Sequence, residues 1–293
     1  MNASEVHDPS HTNAKATLYV VATPIGNLND ISARAIEILR AVDTIAAEDT
    51  RVTRRLLEPL GIRARLVTLH AHNEQRAAVE IVARLSTGAN VALVSDAGTP
   101  GISDPGARLV RLVREAGHMV CPIPGANAAA AAVSISGFLS PHFLFFGFLP
   151  ARESARRAEL DVLAALPYAL VFYEAPHRVA ACVADLAAVM GAERRILLAR
   201  ELTKLFEETH VCMLGEAQQW IAADVHRVKG EYVLVVEGAA TDVAADADHH
   251  RTLEVLLEEL PLKQAVSLAA KITGGNRSAL YQHALALKKS AAS

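Results

Sequence analysis

Asn90-Val91-Ala92-Leu93-Val94-Ser95-Asp96-Ala97-Gly98-Thr99-Pro100-Gly101-Ile102-Ser103-Asp104-Pro105-Gly106 decides the fold. Its first five residues make a short apolar run that reads as a buried strand. The twelve that follow hold three glycines, two prolines and two aspartates, and a helical pattern resumes at Ala107-Arg108-Leu109-Val110. Gly permits positive φ and close backbone approach, while Pro stiffens the chain and removes a donor. A plain strand-to-helix turn needs only one or two such residues. A loop this constrained, at the carboxyl end of a strand, is where an open α/β sheet holds a ligand.

Outward from this loop, short apolar runs alternate with helical patterns, which predicts a mostly parallel sheet with crossover helices. The expected strands are Thr17–Ala22, Thr44–Ala47, Ala64–Leu69, Asn90–Val94 and His118–Ile123. Helices are expected near 31–42, with Asp30 as N-cap, and over 74–85. The texture changes at 140–150, where Phe143 to Pro150 holds four of the seven phenylalanines. A domain boundary is placed there. A second α/β unit with a mixed sheet follows, its strands expected at Tyr168–Tyr173, Arg195–Ala199, Glu207–Leu214 and Glu231–Val236. The resulting division is a disordered tail over 1–16, an N-terminal α/β domain over 17–140 and a C-terminal α/β domain over 141–240. An Ala/Asp-rich linker over 241–250 then leads to a helical module over 251–293.

A chain of 293 residues is long enough for two domains, and a net charge of −3 gives no global sign of a polyanionic partner. Charge is uneven, however. Residues 51–76 carry six arginines against two glutamates, and residues 251–293 carry six basic residues against three glutamates. Solvated helix faces explain most such runs, and RNA contact is the competing reading. Cys121, Cys182 and Cys212 form no CxxC pair, which fits buried free thiols in a reducing compartment. Without an apolar run of membrane length or a signal-peptide core, a cytoplasmic protein is expected.

Other strand-end clusters repeat the pattern. Thr23-Pro24-Ile25-Gly26-Asn27 lacks the glycines of a dinucleotide fingerprint, although Glu48-Asp49 sits where a ribose-binding acid would stand. An ordinary nucleotide-binding domain therefore stands as an alternative, and the missing glycines count against it because they deny a pyrophosphate close approach to the helix start. In Glu48-Asp49-Thr50-Arg51 the carboxylates suit acid/base or substrate work, while helix capping by Asp49 is the plain alternative. His70 and His72 invite a metal reading, but no third ligand is spaced for it, so no metal is expected. Pro124-Gly125-Ala126-Asn127 opens a small-residue helix suited to a flat ligand or simply to tight packing. Tyr173 to Arg178 and Arg200 to Lys204 mix carboxylates and cations, so ion pairing competes there with ligand binding. Several such clusters at strand ends suggest a shared cleft.

Taken in order, these motifs resemble the bacterial small-subunit ribosomal RNA 2′-O-methyltransferases, a branch of the tetrapyrrole methylase superfamily. The motifs are Leu18–Leu28, Glu48–Arg51, Ser95–Gly106, Pro122–Gly125, Gly147–Pro150, Tyr173–Arg178 and Arg200–Lys204, and the resemblance spans roughly 17–240. It implies two α/β domains with S-adenosylmethionine in the cleft between them, and methylation of a cytidine ribose 2′-hydroxyl in the 30S subunit by a homodimer. It also implies donor contacts at Pro24, Gly26, Asp96, Gly98, Thr99, Ile102, Pro124, Gly125 and Ala126, with second-domain contacts at Tyr173, Pro176 and Leu202. Asp49, with Glu48 and Arg51, is the candidate for orienting or deprotonating the hydroxyl, leaving Asp96 and Asp104 structural or donor-facing. Pro-Ile-Gly-Asn replaces the Gly-Pro-Gly type loop of tetrapyrrole-modifying relatives, which fits an RNA substrate better than a macrocycle. Tetrapyrrole methylation and a non-catalytic RNA-binding assembly factor stand as the alternatives.

Overall fold

Two runs without alternation, Thr44–Ala47 and Val91–Val94, are buried at every residue, as expected of central parallel strands covered on both faces. They are β2 and β4 of the first sheet in a computed structural model that describes residues 16–140 and 142–290. The sheet also contains β1 (Thr17–Val21), β3 (Arg65–Thr68) and β5 (Met119–Ile123), in the order β3-β2-β4-β1-β5. Every pairing in it is parallel. The helices are α1 (Ala33–Ala41), α2 (Thr50–Leu57), α3 (Glu74–Ser86), α4 (Ala107–Glu115) and α5 (Ala128–Ile135). Ala35, Ile38, Leu39 and Leu57 pack on one face of the sheet, whereas Ala78, Ile81, Leu85, Leu109 and Val113 pack on the other.

Chain order makes β2 lead outward to the edge strand β3 and its neighbour β4 lead the other way, across β1 to β5. Adjacent strands whose exits run in opposite directions open a crevice at their carboxyl ends. The expected Asp30 cap of α1 is corrected. Asp30 ends a 3-10 turn (Leu28–Asp30) opened by Asn27, and Ser32 caps α1 by accepting from the Ala35 amide at 3.1 Å.

The second sheet has the order β6-β7-β10-β8-β9, formed by Phe143–Phe148, Ala169–Glu174, Tyr232–Val236, Arg195–Arg200 and Glu208–Met213 respectively. β10 runs antiparallel to β7 and β8 while β6 and β7 are parallel, so the sheet is mixed. The phenylalanine-rich run is therefore a strand of this sheet, with a register shift between Phe145 and Gly147. Around the sheet lie α6 (Glu153–Leu163), α7 (Val179–Met190) and α8 (Leu214–Ala222).

Compactness divides the chain after Ala131 and assigns Glu201–Glu208, the segment leading from β8 to β9, to the first unit. The division thus falls earlier than the expected boundary near 140, and it places Leu202 in the first unit rather than the second. The expected linker over 241–250 is helical. It is the start of α9 (Thr241–Glu259), followed by α10 (Leu262–Thr273) and α11 (Arg277–Ser290) around a small core of Leu253, Val266, Ala269 and Leu280. The expected tail over 1–16 lies outside the described residues except for Ala16. No helix among the described residues is long and apolar enough to cross a membrane.

Candidate functional site

Three strand-end loops of the first unit are tied together by main-chain geometry. After β1, Thr23 and Gly98 exchange two backbone hydrogen bonds (2.8 and 3.1 Å), forming an isolated antiparallel bridge. The buried Thr23 hydroxyl also donates to the carbonyls of Ser95 and Gly98. The loop after β4 reaches the loop after β5 through the Thr99 hydroxyl, which donates to the Ala126 carbonyl at 3.1 Å. Pro24, Gly98, Thr99 and Ala126 thus belong to one connected layer. Gly26, Asp96, Ile102, Pro124 and Gly125 are its exposed residues.

Two glycines in this layer are required. A side chain at Gly26 would run into Lys204, and its first carbon would stand 3.0 Å from the Thr203 hydroxyl and 3.1 Å from the Leu202 carbonyl. Gly106, which precedes α4, has φ of +136°, and a side chain there would press on Leu93. Strain is also held at Ser103, Glu201 and Thr203, all at positive φ without being glycine. Leu202 is buried, and its carbonyl stands against the Gly26 turn.

The β4 loop is anchored from outside by Glu74. This buried carboxylate accepts from the amides of Gly106 and Arg108, both at 3.0 Å, and so caps α4 from the first turn of α3. Neither Glu74 nor Thr23 stood among the expected site residues. Asn73 does not cap α3 with its side chain. It accepts from the His70 amide and donates to the Thr68 carbonyl, which fixes the turn carrying His70 and His72. Among the described residues no group of three or more His, Cys, Asp and Glu is placed to hold a metal ion.

Four carboxylates gather at the ends of β2 and β4. Asp49 caps α2 through the Arg51 amide and pairs with the Arg51 guanidinium at 2.6 Å, which holds its carboxyl far below the usual range. The Asp49 amide in turn donates to Asp96 at 3.0 Å. Glu48 is shifted the other way, raised by burial and by the Asp96 charge. Burial pushes Asp104 up to about 6, and Glu48 and Asp96 push it in the same direction. Asp49 and Arg51 therefore form a locked pair, whereas Glu48 and Asp104 are carboxylates with raised proton affinity.

In the second unit, Tyr173, next to last in β7, is half-buried against Phe145 and Phe148, with ring centroids 4.9 and 5.7 Å away, and Pro176 is half-buried in the following turn. That turn is fixed by Arg178, which contacts buried Glu174 at 3.1 Å and donates to the Leu149 carbonyl at 2.7 Å.

Residues 17–218 match the family of tetrapyrrole (corrin/porphyrin) methylases, and residues 243–288 match the RsmI C-terminal HTH domain. The chain is 52% identical over 277 residues to the ribosomal RNA small subunit methyltransferase I of Escherichia coli O157:H7, covering 94% of this chain and 97% of that one. It is 53% identical over 266 residues to the protein so named in Xylella fastidiosa strain Temecula1, covering 90% and 97%. Among solved structures, the fold matches a cobalt precorrin-4 methyltransferase (TM-score 0.57, 14% identity, 75% of this chain and 94% of that one). It also matches the methyltransferase CobJ (TM-score 0.56, 21% identity, 78% and 95%).

Proposed function

The chain belongs to the tetrapyrrole methylase family, and from that membership we propose that it methylates small-subunit ribosomal RNA with S-adenosylmethionine, at the 2′-hydroxyl of a cytidine ribose. The observation that carries the RNA reading is the identity of about half, over nearly the whole length, with relatives named for that RNA. The likeness to corrin-modifying enzymes is one of fold.

The residues present fit the donor. Gly26 and Gly125 are exposed, Ala126 keeps side-chain bulk small beside them, Ile102 offers an exposed apolar side chain, and Asp96 offers a carboxylate to hydroxyl or ammonium groups. Pro24, Gly26, Asp96, Gly98, Thr99, Ile102, Pro124, Gly125 and Ala126 would hold it, with Tyr173 and Pro176 as further contacts. When bound, it supplies an electrophilic sulfonium methyl. Leu202 supports the Gly26 turn from behind.

The protein's own task is to place the ribose hydroxyl and take its proton. Asp49, its charge fixed by Arg51, suits the positioning role rather than proton uptake. Glu48 beside it is the better acceptor, because burial and Asp96 raise its affinity for a proton. The chain acts in the cytoplasm as a homodimer in this reading.

The test supplies purified enzyme with labelled S-adenosylmethionine and offers 30S subunits lacking the modification beside uroporphyrinogen. The expected product is a single cytidine bearing a ribose methyl, mapped by nuclease digestion and mass spectrometry. A methyl on a base, or transfer to the porphyrinogen alone, overturns the reading.

A further inference from the structure

We infer that the groove along the free edge of the first sheet, between β3 and α3, docks the phosphodiester backbone of the RNA substrate. The inference rests on the RNA reading above and extends it to a surface outside the strand-end loops. β3 is hydrogen-bonded to β2 on one side and has no strand on the other. Beside it lies a groove of about 250 Å³, floored by Val67, Ala77 and Ile81 and walled by Thr68, Arg76 and Arg84.

Arg76, Glu80 and Arg84 all line this groove, at steps of four along α3, and so form one stripe. Two arginines flank one glutamate, which leaves net positive charge. Neither guanidinium has an ion-pair or hydrogen-bond partner among the described residues, unlike Arg51, which Asp49 holds. Eight residues of helix separate them, a rise of about 12 Å, which suits contact with more than one phosphate of a strand. The apolar floor keeps water from beneath the charges and strengthens their attraction for an anion.

The surroundings agree. Arg65 is exposed on the same edge strand, and Arg54 and Arg55 are exposed on α2, which covers the other face of the sheet. Glu74, the acid nearest Arg76 in sequence, is buried under the start of α4 and spent on its amides. A chain of net charge −3 that acts on a polyanion has to concentrate its positive charge, and this edge is where the first unit does so.

The test compares the wild type with R76Q/R84Q and R76E/R84E, each first shown to melt as the wild type does and to bind S-adenosylmethionine with unchanged affinity by calorimetry. Methyl transfer to 30S subunits is then measured over roughly 50 to 300 mM KCl. The expected result for the glutamine variant is a KM for 30S raised about tenfold with kcat within about twofold, and a salt dependence of log kcat/KM shallower by about 1.4, or about 0.7 per lost phosphate contact. The glutamate variant should lose more. Unchanged KM and salt slope in both folded variants overturn the inference. So does a loss confined to intact 30S while binding to protein-free 16S ribosomal RNA stays at the wild-type level, because the groove then meets a ribosomal protein. If the wild type itself transfers no methyl to 30S, the RNA reading fails separately. Binding of the variants to protein-free RNA still decides the groove.

Discussion

The strand-end loops of the two units are held by opposite means. In the second unit, charge is buried and compensated. Arg156, 5% exposed, pairs with Asp185, 3% exposed, at 2.6 Å and donates to the carbonyls of Pro150 and Ala151. Arg157 takes the other Asp185 oxygen at 2.6 Å. In the first unit, the loop after β4 is held by a main-chain bridge and by glycine, and Glu48, Asp96 and Asp104 crowd it without a cation for each. Compensated charge fixes a scaffold, whereas uncompensated charge stores altered proton affinity that chemistry can use.

The largest effect should come from breaking the compensated side. Asp185→Ala strands the buried Arg156 guanidinium and should cost about 3–5 kcal/mol in urea unfolding. A cost below about 1 kcal/mol would show that the pair is not a scaffold element. Next, Glu48→Gln should lower kcat by about 100-fold or more, with donor affinity by calorimetry unchanged. The wild-type kcat should fall as pH drops through a Glu48 pKa above the usual glutamate value. If Asp49→Asn instead abolishes turnover while Glu48→Gln keeps it, the two roles are exchanged.

A middle-sized effect is expected at Gly106. Its φ and the nearness of Leu93 make Gly106→Ala destabilising by about 1–3 kcal/mol, measurable by chemical unfolding. The smallest concerns Asp104. Its native pKa of about 6 lies above that of an unfolded aspartate, so the native state binds the extra proton between the two values. The stability it contributes is present below the unfolded value and is lost as pH rises through about 6. Asp104→Asn should therefore melt higher than the wild type at pH 7, by about 2 °C or less given the partial exposure, and the gap should close near pH 4. A gap independent of pH would assign the effect to packing instead.

The first unit was largely legible in the chain because its strands other than β3 are short, mainly apolar runs soon followed by Pro or an acid. Ser95 to Gly106 stood out as a constrained loop through local composition, and the bridge to Thr23 and the bond to Ala126 are what hold it. What stayed hidden depends on partners far away in sequence. Glu74 reads as an ordinary first-turn acid until Gly106 is seen above it, and Thr23 is a turn residue until Gly98 faces it. Phe143–Phe148 was obscured because four aromatics around a glycine blur the period of two. The start of α9 was obscured because an Ala/Asp-rich run suits a linker as well as a helix. Leu202 was misplaced for a different reason: it lies between strands of the second sheet, yet packs with the first unit.

That placement bears on how the protein is made. The Gly26 turn emerges early in translation, but the residues that crowd it, Leu202 to Lys204, follow after most of the second sheet has been synthesised. A chain stopped before Glu201 would carry every strand of the first sheet and still lack the backing of that turn. Contacts so distant in sequence form late and slowly. That turn is therefore completed only once β8 has been made, with β9, β10 and the three C-terminal helices still to come.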